Sequence, residues 1–444
     1  MKAVDLKQII ERGDDENVQA YLNFLEDLEL VDLFYIIDEE LNSTVISKIS
    51  NETLSSIFPF FEKSTLEKII KHISEAQLIK ILNGMETDDV AYTFRELSNV
   101  LTMDLLNLLD KKDQVIKILS FPAESAGSIM QSEVCVLNDE MTIGEAIESL
   151  RKQKQILGEI ICVFVIDKEK KLLGDIQLDD LILGKFIDPI NKIMNPLKYY
   201  VDPMEDQEEV AHSFSKYDLS YLPVLDKDGT LLGQITFDDI HDVIENEANE
   251  DILAFAGVSP AESIADSGGN KFKVALGRFP WLVFSISASM LTGYVLTFFE
   301  SQTANAIIFA SFVPLIMNTT GNVGTQTAMI ITRNFALGAN EFGDFRLPLM
   351  REFLVGLMVG MMAAIVTFLV TFLFYQDITV SIRVGVTVII SVVTAVLFGM
   401  FFPIGFKKIG VDPAVAAGPL VTSGCDMISV SLYLGVIILM NKFF

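Results

Sequence analysis

A carboxylate stands where a carboxylate is costly. Asp426 lies about a dozen residues into an apolar run, 414–440, with Thr422, Ser423 and Ser429 as its polar neighbours in sequence. Placing a carboxylate at such depth in a membrane costs roughly 2.5–3.5 kcal/mol, so these residues face a bundle interior or water. No Lys or Arg occurs at comparable depth in any other apolar run, so the partner expected for Asp426 is mobile: a cation or a proton. A protonated Asp bonded to a neighbouring helix is the bland alternative. A second cluster, PLIMNTTGNVGTQTAM at 314–329, gathers a proline, two glycines and several amides and hydroxyls inside an apolar run. Polar groups are tolerated there where they line a cavity or are buried in protein. Gly321 and Gly324 have the spacing of close helix packing, whereas Asn318, Asn322, Thr325 and Gln326 add neutral oxygen donors beyond what packing needs. Asp412-Pro413 opens the run that carries Asp426. It reads as a helix N-cap or as an inner carboxylate about four turns below Asp426 on one helix. An all-oxygen lining suits hard cations, Mg²⁺, Ca²⁺ or Mn²⁺. Mg²⁺ keeps its waters and needs few charges. One Asp half-neutralises a divalent ion, and a second copy across a two-fold axis would complete the match.

The remaining carboxylates lie elsewhere. The net charge is −27, yet from residue 271 onward the chain carries 10 basic and 7 acidic residues, leaving −30 on the first 270. A domain so charged repels itself and gains from counterions. It suits cations and excludes nucleic acid as a partner. Cys135, Cys162 and Cys425, like His72, His212 and His241, are scattered, which argues against a disulfide framework or a zinc site. No nucleophile–base constellation occurs, so an enzyme is not expected. The segment 1–13 is charged and lacks the apolar core of a cleavable signal.

The elements that must position these residues fall into three groups. Over 1–127, Leu66, Ile69, Ile70 and Ile73, then Leu78, Ile81 and Leu82, follow helical spacing, and Asp88-Asp89 reads as an N-cap start. Residues 128–245 repeat themselves. VIDKEKKLLGDIQLDDLI at 165–182 recurs as VLDKDGTLLGQITFDDIH at 224–241, with Gly174 and Gly233, and Asp180 and Asp239, in register. Each copy reads strand, turn, strand and an Asp-capped helix, preceded by a helix near 143–152 or 208–216. Repetition of this length means paired modules, and the copies resemble a tandem of CBS domains. Beyond them, DVIENEANED predicts a helix with Glu247, Glu250 and Asp251 on neighbouring turns, before Ser-Gly-Gly at 267–269. Four uncharged runs, 281–299, 301–332, 353–376 and 384–406, join 414–440 in being long enough to span a bilayer, which takes about 20 residues. With the N-terminus inside, the inner flanks hold eight Lys/Arg, against Arg383 and Lys442 outside. That places the acidic part in the cytoplasm and the C-terminus outside.

This order of parts, with PLIMNTTGNVGTQ, DPAVAAGP, TSGCD and DVIENEANED, resembles the MgtE family of magnesium channels over nearly the whole chain. The resemblance implies a multidomain fold: an all-α helical N-terminal superhelical domain over 1–127, an α/β tandem CBS pair at 128–187 and 188–245, a linker (plug) helix over 246–270, and an α-helical membrane domain of five transmembrane helices over 271–444. It implies a homodimer in the lipid bilayer of a cell's inner membrane, a Mg²⁺-selective channel into the cytoplasm with Asp426 as pore site and Asp412 near the inner mouth. Asn318, Gly321, Asn322, Gly324, Thr325 and Gln326 would line the pore. Cytosolic Mg²⁺ would close it through Asp88, Asp206, Glu208, Asp218, Asp239, Asp242, Glu247, Glu250 and Asp251, and the CBS pair offers a place for ATP. Thr320 stands where glycine is usual, Cys425 and Met427 replace the usual neighbours of the pore Asp, and Ser56 replaces an acidic ligand. The rival readings are a proton-coupled divalent cation carrier and a nucleotide-sensing membrane regulator.

Overall fold

The structure, a computed structural model, describes residues 18, 21–22, 24–37, 39–97, 103–157, 160–258, 271–301, 306–336, 346–414 and 418–443. The charged segment 1–13 and the end of the linker, 259–270 with its Ser-Gly-Gly, lie outside them. The chain forms two compact units, Met1–Glu245 and Asn246–Phe444.

In the first unit short helices follow one another: α1 (Asp27–Ile36), α2 (Glu39–Lys48), α3 (Asn51–Ile57), α4 (Lys63–Ile70), α5 (Glu75–Gly84), α6 (Thr87–Glu96), α7 (Met103–Leu106) and α8 (Lys112–Leu119). Serines start two of them. Ser50 Oγ accepts from Thr53 N at 3.0 Å and Ser74 Oγ from Gln77 N at 3.3 Å, satisfying amides the helix cannot. The apolar stripe expected over 66–82 is buried: Leu66, Ile69, Leu78, Ile81 and Leu82 all lie in the core. That core continues into the second repeat, where Val201, Phe214, Ile235 and Ile240 join it. The helical domain and the second module therefore share one hydrophobic interior.

The repeats fold as two α/β modules. β1 (Cys135–Asn138), α9 (Ile143–Leu157), β2 (Val163–Ile166), β3 (Leu172–Ile176), α10 (Leu178–Leu183) and β4 (Asn195–Pro196) make the first, with sheet order β1-β2-β3-β4 and a parallel β1–β2 pair. α11 (Gln207–Tyr217), β5 (Tyr221–Leu225), β6 (Leu231–Thr236) and α12 (Phe237–Phe255) make the second. Single bridges, Gln131 to Gln234 and Lys171 to Thr230, tie the copies together.

Two sequence expectations change here. The Asp pairs do not cap. Gln177 precedes α10, and Glu86 precedes α6, so each pair sits in the first turn. There the carboxylates meet the positive end of the helix. In α12 Asp239 Oδ2 reaches back to Thr236 N (3.2 Å) and Thr236 Oγ1 (2.5 Å), half of a capping box. Further, no break separates the last helix of the second module from the acidic linker: α12 runs unbroken through 246.

The second unit holds α13 (Lys271–Glu300), α14 (Ala306–Ala310), α15 (Val313–Ala336), α16 (Arg346–Tyr375), α17 (Ile378–Lys408) and α18 (Pro419–Phe443). Five stretches are long and apolar enough to cross a membrane: Ala275–Glu300, Ala306–Phe335, Leu347–Tyr375, Ile378–Lys408 and Pro419–Lys442. The second is jointed, because Ser311 and Phe312 form a turn between α14 and α15. Hydroxyls inside these helices are largely satisfied by the carbonyl one turn back, as with Thr320 Oγ1 to Ile316 O at 2.8 Å. The threonine that replaces a glycine there is fully buried without an orphaned group.

Small residues bring α15, α17 and α18 together. A Cβ on Gly324 would collide with Cys425 Sγ and stand 3.5 Å from Ala395 O, and one on Gly399 would strike Gly324 O. Overfilling such a seam costs about 1–3 kcal/mol or more. Gly324→Val is accordingly expected to lower the thermal midpoint of the detergent-purified protein and the monodisperse yield, measured by fluorescence-detected gel filtration. An unchanged midpoint would show that the helices do not pack through this glycine.

Candidate ion-binding site

Asp426 lies about two turns into α18. Its Oδ1 is buried and has no hydrogen-bond partner. Gly321 of α15 faces it, so that a Cβ there would stand 3.1 Å from Oδ1. One turn below, Thr422 shares a 2.9 Å hydroxyl–hydroxyl bond with Thr325. Gly321, Thr325, Thr422 and Asp426 thus form one polar patch at the α15–α18 contact.

The other polar neighbours divide. Ser423 and Ser429, adjacent to Asp426 in sequence, turn elsewhere: Ser423 Oγ bonds Ser285 Oγ of α13 at 3.0 Å, and Ser429 is buried beside Ser391 of α17. Gly324 backs onto Cys425 in the packing seam. Asn318, Asn322 and Gln326 are exposed at successive turns of α15, with Asn322 Nδ2 donating to Asn318 Oδ1 at 3.4 Å. They form an uncovered amide stripe beside the Asp426 patch.

A second acidic group sits lower in this unit. Asp251, near the end of α12, is half-buried, and that burial, with Asp412, Glu247 and Glu250 nearby, pushes its carboxyl up to about 6. Asp412 is exposed and its Oδ1 accepts from Ala414 N at 2.8 Å. It therefore acts as a cap, and it lies outside the described helix of Asp426, which begins at Pro419 after a turn at Gly418. The single helix expected to carry both carboxylates is not what forms.

In the first unit the start of α6 meets the start of α12. Asp88 is 7% exposed, its Oδ1 has no hydrogen-bond partner among the described residues, and its carboxyl lies close enough to that of Asp239 for the two to repel. Burial first, then Asp239, Asp89 and Glu86, hold Asp88 well above the usual carboxylate range. Burial lifts Glu86 and Asp89 to about 7 and Asp239 to about 6, each further raised by the carboxylates around it. Burial also raises Asp242.

Lys111 stands beside this group. It donates to Met85 O and pairs with Glu133 at 3.5 Å, and its charge pulls Asp89 down. Neutral donors complete the junction: Thr87 Oγ1 donates to Glu133 Oε2 (2.6 Å) and accepts from Ser132 N (2.9 Å), and Gln131 Nε2 donates to Glu86 Oε2 (2.5 Å).

Three expected residues stand apart. Asp206 caps α11 by accepting from Glu208 N at 2.9 Å, Glu208 fills the first turn, and Asp218 ends the same helix at φ 53°. The 11 residues of α11 hold the pair about 16 Å from Asp218. Glu86, Asp89, Glu133, Asp238 and Lys111 join the cluster without having been expected. Only the neighbours of Asp88 and Asp239 in sequence could have been suspected. Among the described residues no three His, Cys, Asp or Glu side chains form a ready metal cage. Hydrated Mg²⁺, held by one or two carboxylates through its waters, does not need one.

Comparison with known proteins gives this arrangement a family. The divalent cation transporter family matches residues 313–436, the MgtE intracellular N domain 29–124, and the CBS domain 126–184 and 190–246. The magnesium transporter MgtE of Enterococcus faecalis is 30% identical over 335 residues, covering 76% of this chain and 73% of that protein. The chain belongs to the MgtE family of magnesium transporters. The MgtE of Thermus thermophilus is 29% identical over 98% of this chain and 97% of its own length, and that of Bacillus subtilis 25% over 95% and 94%. A crystal structure of the cytosolic domain of the Mg²⁺ channel MgtE in complex with ATP is 27% identical, with a TM-score of 0.52 over 54% of this chain and 99% of that one. Membership of the MgtE family makes this a membrane transport protein with an intracellular N domain, and not an enzyme.

The raised carboxyls give a pH dependence of defined sign. Glu86, Asp89 and Asp239 bind protons more tightly folded than unfolded. Their contribution is full below the usual carboxylate range, about pH 4, and is lost as pH rises through 6 to 7. With divalent ions chelated, the thermal midpoint of the full-length protein should fall from about pH 5 to about pH 8, and Asp239→Asn should flatten the fall. A midpoint that rises over this range would contradict the cluster.

Proposed function

We propose that this MgtE-family chain is a homodimeric Mg²⁺ channel that admits the ion past Asp426 and is closed by cytosolic Mg²⁺. The observation that carries the reading is the buried Asp426 Oδ1, which no group among the described residues satisfies. A carboxylate in that position is stabilised by a cation that comes and goes. Gly321 leaves the space beside it, and the Thr325–Thr422 pair supplies oxygens one turn below. Two copies facing each other give the two charges a divalent ion requires.

The amide stripe supports the dimer. Asn318, Asn322 and Gln326 cannot lie against lipid without cost. Facing a second copy across a water-filled path, they would hydrogen-bond the hydration shell of Mg²⁺, which that ion gives up reluctantly. Orientation by the Lys/Arg excess puts the C-terminus outside and both acidic groups in the cytoplasm.

Closure would draw on those acidic groups. At the Asp88–Asp239 junction and around Asp251 and Asp412, carboxylates crowd together. Mg²⁺ binding there would favour the compact arrangement, and its loss would let the carboxylates repel one another. Asp206, Glu208 and Asp218 enter only as a surface on which a further ion could settle. The CBS pair, whose relative was crystallised with ATP, is the region where we place an adenine nucleotide.

The test is Mg²⁺ uptake into proteoliposomes. Asp426→Ala should lower uptake to the level of empty vesicles while gel-filtration behaviour stays that of the parent. Normal uptake by that variant would remove the pore assignment. Uptake that follows an imposed pH gradient in the absence of a Mg²⁺ gradient would favour a proton-coupled carrier instead.

A further inference from the structure

The last turn of α12 ends against the first residue of the pore-lining helix. Its C-terminus is closed by a double bond pattern: Val258 N donates to Leu253 O (2.9 Å) and Gly257 N to Ala254 O (2.9 Å), with Gly257 at φ 68°. This Schellman arrangement needs a residue that tolerates the left-handed region. The Phe255 carbonyl at this helix end lies against Gly418. A Cβ on Gly418 would collide with Phe255 O, stand 3.0 Å from Phe255 C and 3.5 Å from Ala254 O.

The contact is matched from the other side. A Cβ on Gly257 would stand 2.7 Å from Pro419 Cγ and 3.5 Å from Trp281 Cδ1. Phe255 packs its ring on the group formed by Ala328, Ala395, Val421 and Cys425. Two glycines, one on each strand of chain, thus permit an approach that any side chain would prevent. The approach is electrostatically favoured as well, because the carbonyl end of α12 meets the amide end of α18.

Position on α18 gives the contact its meaning. Gly418, Thr422 and Asp426 are spaced four residues apart and share one face. Gly418 O accepts from Thr422 N and Oγ1, both at 3.2 Å. The end of α12 therefore sits on the same stripe as Asp426, about 12 Å below it.

We propose that Gly418 and Gly257 form the seat on which the end of α12 closes the inner end of this stripe. They are positioning residues: they touch no ion, and they decide whether Mg²⁺ bound at the acidic groups can complete closure. The inference rests on the gated-channel reading above and adds the two glycines that let the end of α12 approach α18. Bulk at either glycine would hold α12 off without altering the ion path.

The test uses the full-length protein in proteoliposomes, with Mg²⁺ on the cytoplasmic face varied. Gly418→Ala and Gly257→Ala should each leave uptake at low cytoplasmic Mg²⁺ near that of the parent. Each should raise the Mg²⁺ needed for half-closure about tenfold or more. The double variant should do no worse than the stronger single one, since both disturb one contact. Gly293→Ala, at a glycine with open space around it, should leave closure at the parent's Mg²⁺. Closure of both seat variants at the parent's concentration overturns the seat. Should Gly418→Ala fail to fold, Gly257→Ala decides alone by the same criterion. A parent that conducts regardless of cytoplasmic Mg²⁺ overturns the gating reading and the seat with it. Loss of uptake in Asp426→Ala concerns only the pore.

Discussion

Removing carboxylates from water without giving them a fixed cation is the constraint around which this protein is built. Asp426, Asp88 and Asp251 each leave solvent in part or in full, and among the described residues none of the three has a lysine or arginine salt bridge. A buried ion pair would neutralise such a site permanently, and breaking one is strongly unfavourable. Leaving the charge unpaired makes the local free energy depend on what ions the surroundings supply. Such a site responds to the cations around it.

Lys111 marks the contrast. It is the tethered cation at the edge of the Asp88–Asp239 junction, and it is committed to Met85 O and Glu133. It moderates Asp89 but does not reach into the pair itself as an ion-pair partner. The junction is thus held at its rim by the neutral donors Thr87 and Gln131, which bond the carboxylates of Glu133 and Glu86. Such a contact is poised between association and repulsion, and small changes in cation or proton activity move it.

In the membrane unit the matching device is the glycine. Gly321 makes room beside a carboxylate, Gly324 and Gly399 let three helices touch at backbone distance, and Gly418 admits the end of α12. Among helices in lipid, where apolar burial offers no drive to associate, such close approach supplies dispersion contact that side chains could not. The polar groups can then be aimed inward or along one stripe, because the interior behind them is already filled.

The sequence by itself determined the parts: apolar runs of spanning length, two α/β copies in register, a string of short helices, and a lone Asp inside the last run. These follow from local rules of length, periodicity and repetition, which need no knowledge of what packs where. It also identified Asp88 and Asp239 as candidates, though they stand 151 positions apart. Only the tertiary structure decided that these two carboxyls crowd one another, that Glu86, Asp89 and Lys111 join them, and that Asp206 and Asp218 spend their carboxylate and backbone on the ends of α11. It alone separated Thr422 from Ser423 and Ser429, since helical phase against several neighbours, not order in the chain, sets which of them shares the Gly321 side of α18 with Asp426. The division has one physical cause. Secondary structure and membrane insertion are read out by residues close in sequence, whereas the cost of a buried charge depends on every group within a few ångströms, wherever the chain brings it from.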